Sequence, residues 1–266
     1  MKFDPTKYYR MPLIMGGLLD RNKLKLAYPQ VEVLAFQYLT DPEAIEALLP
    51  DSYQPGKEPL VTVLFSQNNG LFFMAGGGYR LAAFLVSARF DGQQDHVEGD
   101  HILVMFENHT FPIIGGREDL GVPKLYADIS AIKIMADGHL RCEASYLGHL
   151  LYGLDVAPLR RQTALARIVA TRQINSKPWL GYKYIPSLDG PPDADYPTIA
   201  FNDSKLEKLW MGKKASIRFG TARMEDISHA KPIIDALATL TIVRPVQVVH
   251  YQGSAVLRYD LSRRLK

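Results

Sequence analysis

Lys124 is the side chain in this sequence best placed for covalent chemistry. It stands in the stretch from Gly115 to Tyr126, preceded by Val122 and Pro123 and followed by Leu125 and Tyr126, so apolar neighbours flank it on both sides. A free lysine amine has a pKa near about 10.4 and is neutral only about 0.04 % of the time at pH 7. Burial disfavours the charged form and can bring a lysine down by roughly 3 to 5 pH units. The neutral amine then attacks a carbonyl carbon to form an imine. A lysine kept neutral by desolvation alone carries a stability cost, so Lys124→Met is expected to leave the fold intact or more stable at neutral pH.

An imine alone does nothing without groups that move protons and hold substrate. Glu107 and His109 end an apolar strand just ahead of the lysine loop, where a general acid or base can face a pocket. Tyr251, beside His250, sits in an apolar frame from Val248 to Val256 and can donate to a developing alkoxide. Arg117 and Glu118 lie in the loop itself, placed to shape it or to reach a substrate carboxylate. Each has a purely structural counterpart: a lysine snorkelling over Val122 and Tyr126, an exposed ion pair worth little, a core tyrosine with a satisfied hydroxyl.

The elements that would position these groups are mostly short strands. Val31 to Tyr38, Leu60 to Ser66, Tyr79 to Phe90 and Ile102 to Phe106 read as strands. Asp137-Gly138, between Ile129–Met135 and His139–Tyr146, is a strong hairpin signal. Tyr182 to Pro186, Thr198 to Asn202, Ala215 to Gly220 and Val246 to Tyr259 follow. Thr40 as N-cap with Glu43 predicts a short helix before Pro50, and Ile233 to Leu240 another; the stretch from Val156 to Ala170 is undecided. The glycine run Gly76 to Gly78 has no Lys-Ser/Thr after it and predicts a bend rather than a phosphate cradle. Asp95, His96, Glu98, Asp100 and His101 carry metal-ligand chemistry, but their composition is that of a solvated turn, and no metal or other cofactor is expected. The fold class is mainly β (α+β): an antiparallel β-sandwich or barrel with a few peripheral short helices. Residues 1–30 read as an N-terminal arm and 31–266 as a single domain.

Composition narrows the partners. The 266 residues carry 31 basic and 28 acidic side chains, a net charge of +3 with no basic stripe, which argues against nucleic acid. Cys142 is the sole cysteine, which excludes an intramolecular disulfide and makes a reducing, cytoplasmic setting the expectation. Met11 to Leu19 is apolar but short and lacks a small-residue cleavage site, so it imitates a signal peptide only faintly. No run reaches the roughly 20 apolar residues of a membrane helix.

Gly116-Arg117-Glu118 followed, after four residues, by Pro123-Lys124 resembles the signature of the acetoacetate decarboxylase family. Glu58-Pro59-Leu60-Val61, Tyr79-Arg80, Phe90-Asp91-Gly92, Ile185-Pro186-Ser187-Leu188-Asp189-Gly190 and Trp210-Met211-Gly212 follow the family order, so the resemblance spans roughly residues 30 to 260. It implies that Lys124 is a Schiff-base lysine, a well-known case of an activated amine. It also implies a lyase acting on a small ketone or keto acid, by decarboxylation or by pyruvate-type aldol and dehydration chemistry, in a homo-oligomer. The departures are as informative. Leu125 replaces the second lysine of the classical enzymes, Leu64 and Leu81 fall on their two acids, and Val31 on their early arginine. Those replacements put acetoacetate itself in doubt and equally suit a non-catalytic β-barrel binder of apolar small molecules, in which Lys124 is inert.

Overall fold

The computed structural model describes residues 2–17 and 23–266. The end of the apolar Met11–Leu19 run, at Leu18 and Leu19, lies outside the described residues; Leu13–Met15 forms a short 3-10 turn with its side chains exposed. The main strands are β1 (Lys25–Leu39), β2 (Leu60–Asn69), β3 (Tyr79–Asp91), β4 (His96–Glu107), β5 (Lys124–Tyr126), β6 (Leu140–Tyr146) and β7 (His149–Val156). They continue with β8 (Trp179–Ile185), β9 (Ala194–Ala200), β10 (Asn202–Gly212), β11 (Ala215–Phe219) and β12 (Arg244–Arg258). In the large sheet the order is β10-β12-β1-β2-β3-β4-β8-β9, with two-residue strands at Arg160–Arg161 and Arg263–Arg264 on its edges. That sheet is open rather than a closed barrel. Pairing is antiparallel except where β5 and β8 each run parallel to β4. The smaller sheet has β7 between β6 and β11.

Strand alternation builds the interior, because successive side chains of a strand point to opposite faces. On β1, Leu34, Phe36 and Tyr38 enter the main core between the two sheets, while Val31 and Val33 face the other way. On β2, Val63 and Phe65 join that core and Leu64, Ser66 and Asn68 turn to the opposite face. Phe84 of β3 is fully buried, with Tyr152 and Phe219 rings 4.9 and 6.0 Å away. Truncating such a residue to alanine costs about 3–5 kcal/mol. The second face of the same strands lines a cavity.

Among the described residues four α-helices sit at the periphery: α1 (Pro42–Glu46), α2 (Thr110–Gly115), α3 (Ala164–Asn175) and α4 (Lys231–Ala238). The cap of α1 is Asp41, not Thr40: the Asp41 carboxylate accepts from the Glu43 amide at 3.0 Å. Thr40 is buried instead, its hydroxyl unpartnered. The undecided stretch after Val156 resolves into α3, capped by Thr163, whose hydroxyl accepts from the Ala166 amide. The polar segment expected as a loop before Ile102 is mostly strand. β3 and β4 pair from Asp91↔His96 onward, because the turn end of this antiparallel hairpin leaves its polar side chains facing solvent. β1 likewise begins at Lys25, earlier than Val31. Gly138 has φ +78°, as the hairpin turn requires. Among the described residues, no helix is long and apolar enough to cross a membrane.

Candidate active site

The lysine loop is built so that Lys124 turns inward. α2 passes into a wider turn, Gly116–Leu120, which Gly121 ends with φ +70°. The Val122 amide donates to the Gly116 carbonyl at 3.0 Å and the Met105 amide to the Pro123 carbonyl at 3.1 Å, which sutures the loop to β4. β5 then runs beside β4 with Lys124 opposite Met105. Glu107, two residues further along the same face of β4, meets the lysine. Gly116 is needed for this: a Cβ there would lie 2.4 Å from Lys124 Cδ and Cε. Leu125, on the other face of β5, packs on the main core.

The Lys124 ammonium nitrogen lies 2.7 Å from Glu107 Oε1 and 3.1 Å from the Pro112 carbonyl oxygen. Glu107 is fully buried and its second oxygen, Oε2, has no hydrogen-bond partner among the described residues. Burial holds the Glu107 carboxyl above the usual glutamate range, offset in part by the charge and hydrogen bond of Lys124. The sequence predicted a lysine isolated among apolar groups. It is buried as expected, but a strand-end carboxylate accompanies it, because parallel pairing of β5 with β4 is invisible in local sequence.

Both groups open onto a cavity of about 100 Å³. Val31, Leu64 and Leu81, the aliphatic replacements noted above, all line it, with Val33, Leu120 and Val122. Tyr251 lines it too; burial pushes its hydroxyl up to about 12, and a hydrogen bond with Ser204 opposes the shift. Two further phenols escaped the sequence reading. Tyr28 and Tyr79 face the cavity with their hydroxyl oxygens 3.4 Å apart. Burial pushes Tyr28 up to about 12 and Tyr79 well above the usual range, and the charge of Glu107 adds to both. The period-two alternation of β3 could have revealed Tyr79 beside Leu81; Tyr28 lies in the stretch read as the arm.

Arg117 and Glu118 do not line the cavity. The exposed Arg117 donates through Nη1 to the Lys124 carbonyl at 3.0 Å, and the Glu118 carbonyl accepts from Lys183 Nζ at 2.5 Å. Both therefore hold the loop rather than reach its contents. His109 caps α2, its Nδ1 accepting from the Phe111 amide at 3.3 Å. His250 points to the other face of β12 from Tyr251, bonded to Glu32 at 2.8 Å and stacked on Trp210. Arg10 of the N-terminal arm forms a buried pair with Asp119 and lies 5.7 Å from the Phe111 ring centroid, which fastens the arm to the lysine loop. Among the described residues no three His, Cys, Asp or Glu side chains cluster as a metal site. Asp95 instead pairs with Arg263, His96 with Asp91, and His101 is buried with its ring 4.6 Å from that of Tyr53.

Comparison with known proteins follows the same line. Residues 10–261 match the family described as acetoacetate decarboxylase (ADC). Acetoacetate decarboxylase 1 of Mesorhizobium japonicum is 27 % identical over 259 residues, covering 91 % of this chain and 90 % of that protein. The crystal structure of acetoacetate decarboxylase from Legionella pneumophila superposes with a TM-score of 0.70 at 22 % identity, covering 91 % of this chain and 88 % of that one. The enduracididine biosynthesis enzyme MppR, complexed with the condensation product of pyruvate and imidazole 4-carboxaldehyde, superposes at 0.71 with 15 % identity, covering 99 % and 97 %.

Proposed function

Because this chain belongs to the acetoacetate decarboxylase family, we propose that it is a lyase in which Lys124 forms a Schiff base with a small ketone or keto acid. The observation that carries this reading is the buried Lys124–Glu107 pair, 2.7 Å apart at the wall of a cavity lined mainly by aliphatic groups. Transfer of a proton from Lys124 to Glu107 gives a free amine and a carboxylic acid, a transfer that burial of Glu107 favours. The amine attacks the carbonyl carbon. The carbinolamine oxygen then leaves as water with the Glu107 proton and one proton of the nitrogen, leaving an iminium and a Glu107 carboxylate.

The iminium is an electron sink for the adjacent bond. It accepts the electron pair released when CO2 departs, when an α-proton moves to Glu107, or when a carbon-carbon bond breaks, and the enamine so formed returns that pair when a carbon-carbon bond forms. Glu107 and Tyr251 are the acid and base of this scheme, and Arg117 and Glu118 shape the loop. The names of the relatives support decarboxylation, and the pyruvate condensation product held by MppR supports aldol-type chemistry. A homo-oligomer and a cytoplasmic setting belong to the same proposal; exposed Leu165, Ile168 and Val169 on α3 favour self-association. A purely apolar binder has no use for an ion pair whose desolvation costs several kcal/mol per charge.

The test is exchange of ketone α-protons in heavy water, followed by proton NMR. Wild type is expected to catalyse exchange and Lys124→Met to lose it; equal rates in the two proteins would remove the lysine from the mechanism.

A further inference from the structure

From the cavity wall we infer the substrate class: a short, uncharged ketone or aldehyde without a carboxylate. The inference rests on the Schiff-base reading and narrows it. Among the described residues, Glu107 and Lys124 are the only charged side chains lining the cavity, and their 2.7 Å contact matches one charge with the other. The other polar lining groups, Tyr28, Ser66, Asn68, Tyr79, Asn202 and Tyr251, are neutral. A keto acid would therefore bring a carboxylate into a space where the described residues supply no second cation and which already holds the Glu107 carboxylate. Burying an unpaired charge is strongly unfavourable. Leu64, Leu81 and Val31 offer such a guest only methyl groups, whereas an alkyl chain buries well against them.

Size agrees. An apolar cavity of about 150 Å³ holds benzene, with its six non-hydrogen atoms, so about 100 Å³ holds roughly four on the same scale. That is acetone or a close homologue. With a neutral ketone the chemistry is that of the enamine. Lys124 amine, Glu107 carboxylic acid and ketone give iminium, carboxylate and one water; the carboxylate then removes an α-proton, leaving a neutral enamine and a carboxylic acid. Return of a proton from the Glu107 carboxylic acid to the enamine carbon restores the iminium and exchanges the α-hydrogens with solvent, and no CO2 is released.

The experiment is borohydride trapping on the wild-type protein with acetone, butanone, pyruvate and acetoacetate, each titrated separately, with labelling of the Lys124 peptide read by mass spectrometry. Acetone and butanone are expected to give half-maximal labelling at concentrations at least about tenfold below the two keto acids. Equal or better labelling by pyruvate or acetoacetate overturns the substrate class while leaving the Schiff base standing. Absence of labelling by all four compounds overturns the Schiff-base reading and this inference with it. A second measurement, detection of CO2 from acetoacetate, is expected to show release no faster with enzyme than with Lys124→Met; lysine-dependent release contradicts the inference.

Discussion

Replacing Lys124 by methionine exposes what the lysine does for Glu107. Methionine is similar in length and fills the space, but it removes the cation 2.7 Å from Oε1 and leaves a fully buried carboxyl whose Oε2 is already unpartnered. Such a group takes up a proton rather than stay charged. Burial, no longer offset by Lys124, holds the Glu107 carboxyl above its ordinary range. The folded pKa then lies above the unfolded one, so between the two the folded state binds more protons and stability falls as pH rises, by about 1.4 kcal/mol per unit. Each pH unit within that window is expected to cost the variant roughly 3 °C in Tm for a chain of this size. In the wild type Lys124 offsets the burial of Glu107, so the decline is shallower. Urea or thermal unfolding across pH 4.5 to 8 reads both slopes. Lys124→Met/Glu107→Gln should lose the extra slope. Parallel curves for wild type and Lys124→Met, or a slope that persists in the double variant, would refute the pairing. The expectation that the single variant is neutral or stabilising at pH 7 is thus reversed by one carboxylate.

Three further outcomes follow from the geometry. Gly116→Ala places a methyl 2.4 Å from Lys124 Cδ and Cε, so imine formation should drop by about 10²-fold while circular dichroism shows an intact fold. Tyr251→Phe keeps the buried ring and should leave borohydride trapping in place while slowing α-proton exchange by about 10²-fold or more; unchanged exchange would dismiss the phenol. Arg10→Ala removes the buried guanidinium from Asp119 and should cost up to about 3 kcal/mol, measured by urea unfolding, with a weaker hold on the lysine loop read as faster amide exchange at Gly116 to Leu120.

Much of this site was legible in the chain. Lys124 stood out by its motif, Glu107 by its place at a strand end, and Tyr251 by its apolar frame; all three line one cavity. The aliphatic positions Val31, Leu64 and Leu81 were legible as well. What escaped depends on pairing between distant segments. The Lys124–Glu107 contact arises from parallel registry of β5 on β4, the Tyr28–Tyr79 contact joins residues of β1 and β3, and Arg10 reaches Asp119 across 109 positions. For Arg117 and Glu118 the sequence left two roles open, and the contacts seen are those that shape the loop: Arg117 bonds the Lys124 carbonyl and the Glu118 carbonyl accepts from Lys183.

Every step of the proposed reaction passes through a covalent imine at Lys124. Wild-type protein is reduced with borohydride in the presence of acetone, digested and mapped by mass spectrometry. A single isopropyl adduct is expected on the peptide containing Lys124, absent without acetone and absent in Lys124→Met. Adducts spread over exposed lysines at equal level, or none on Lys124, would contradict it.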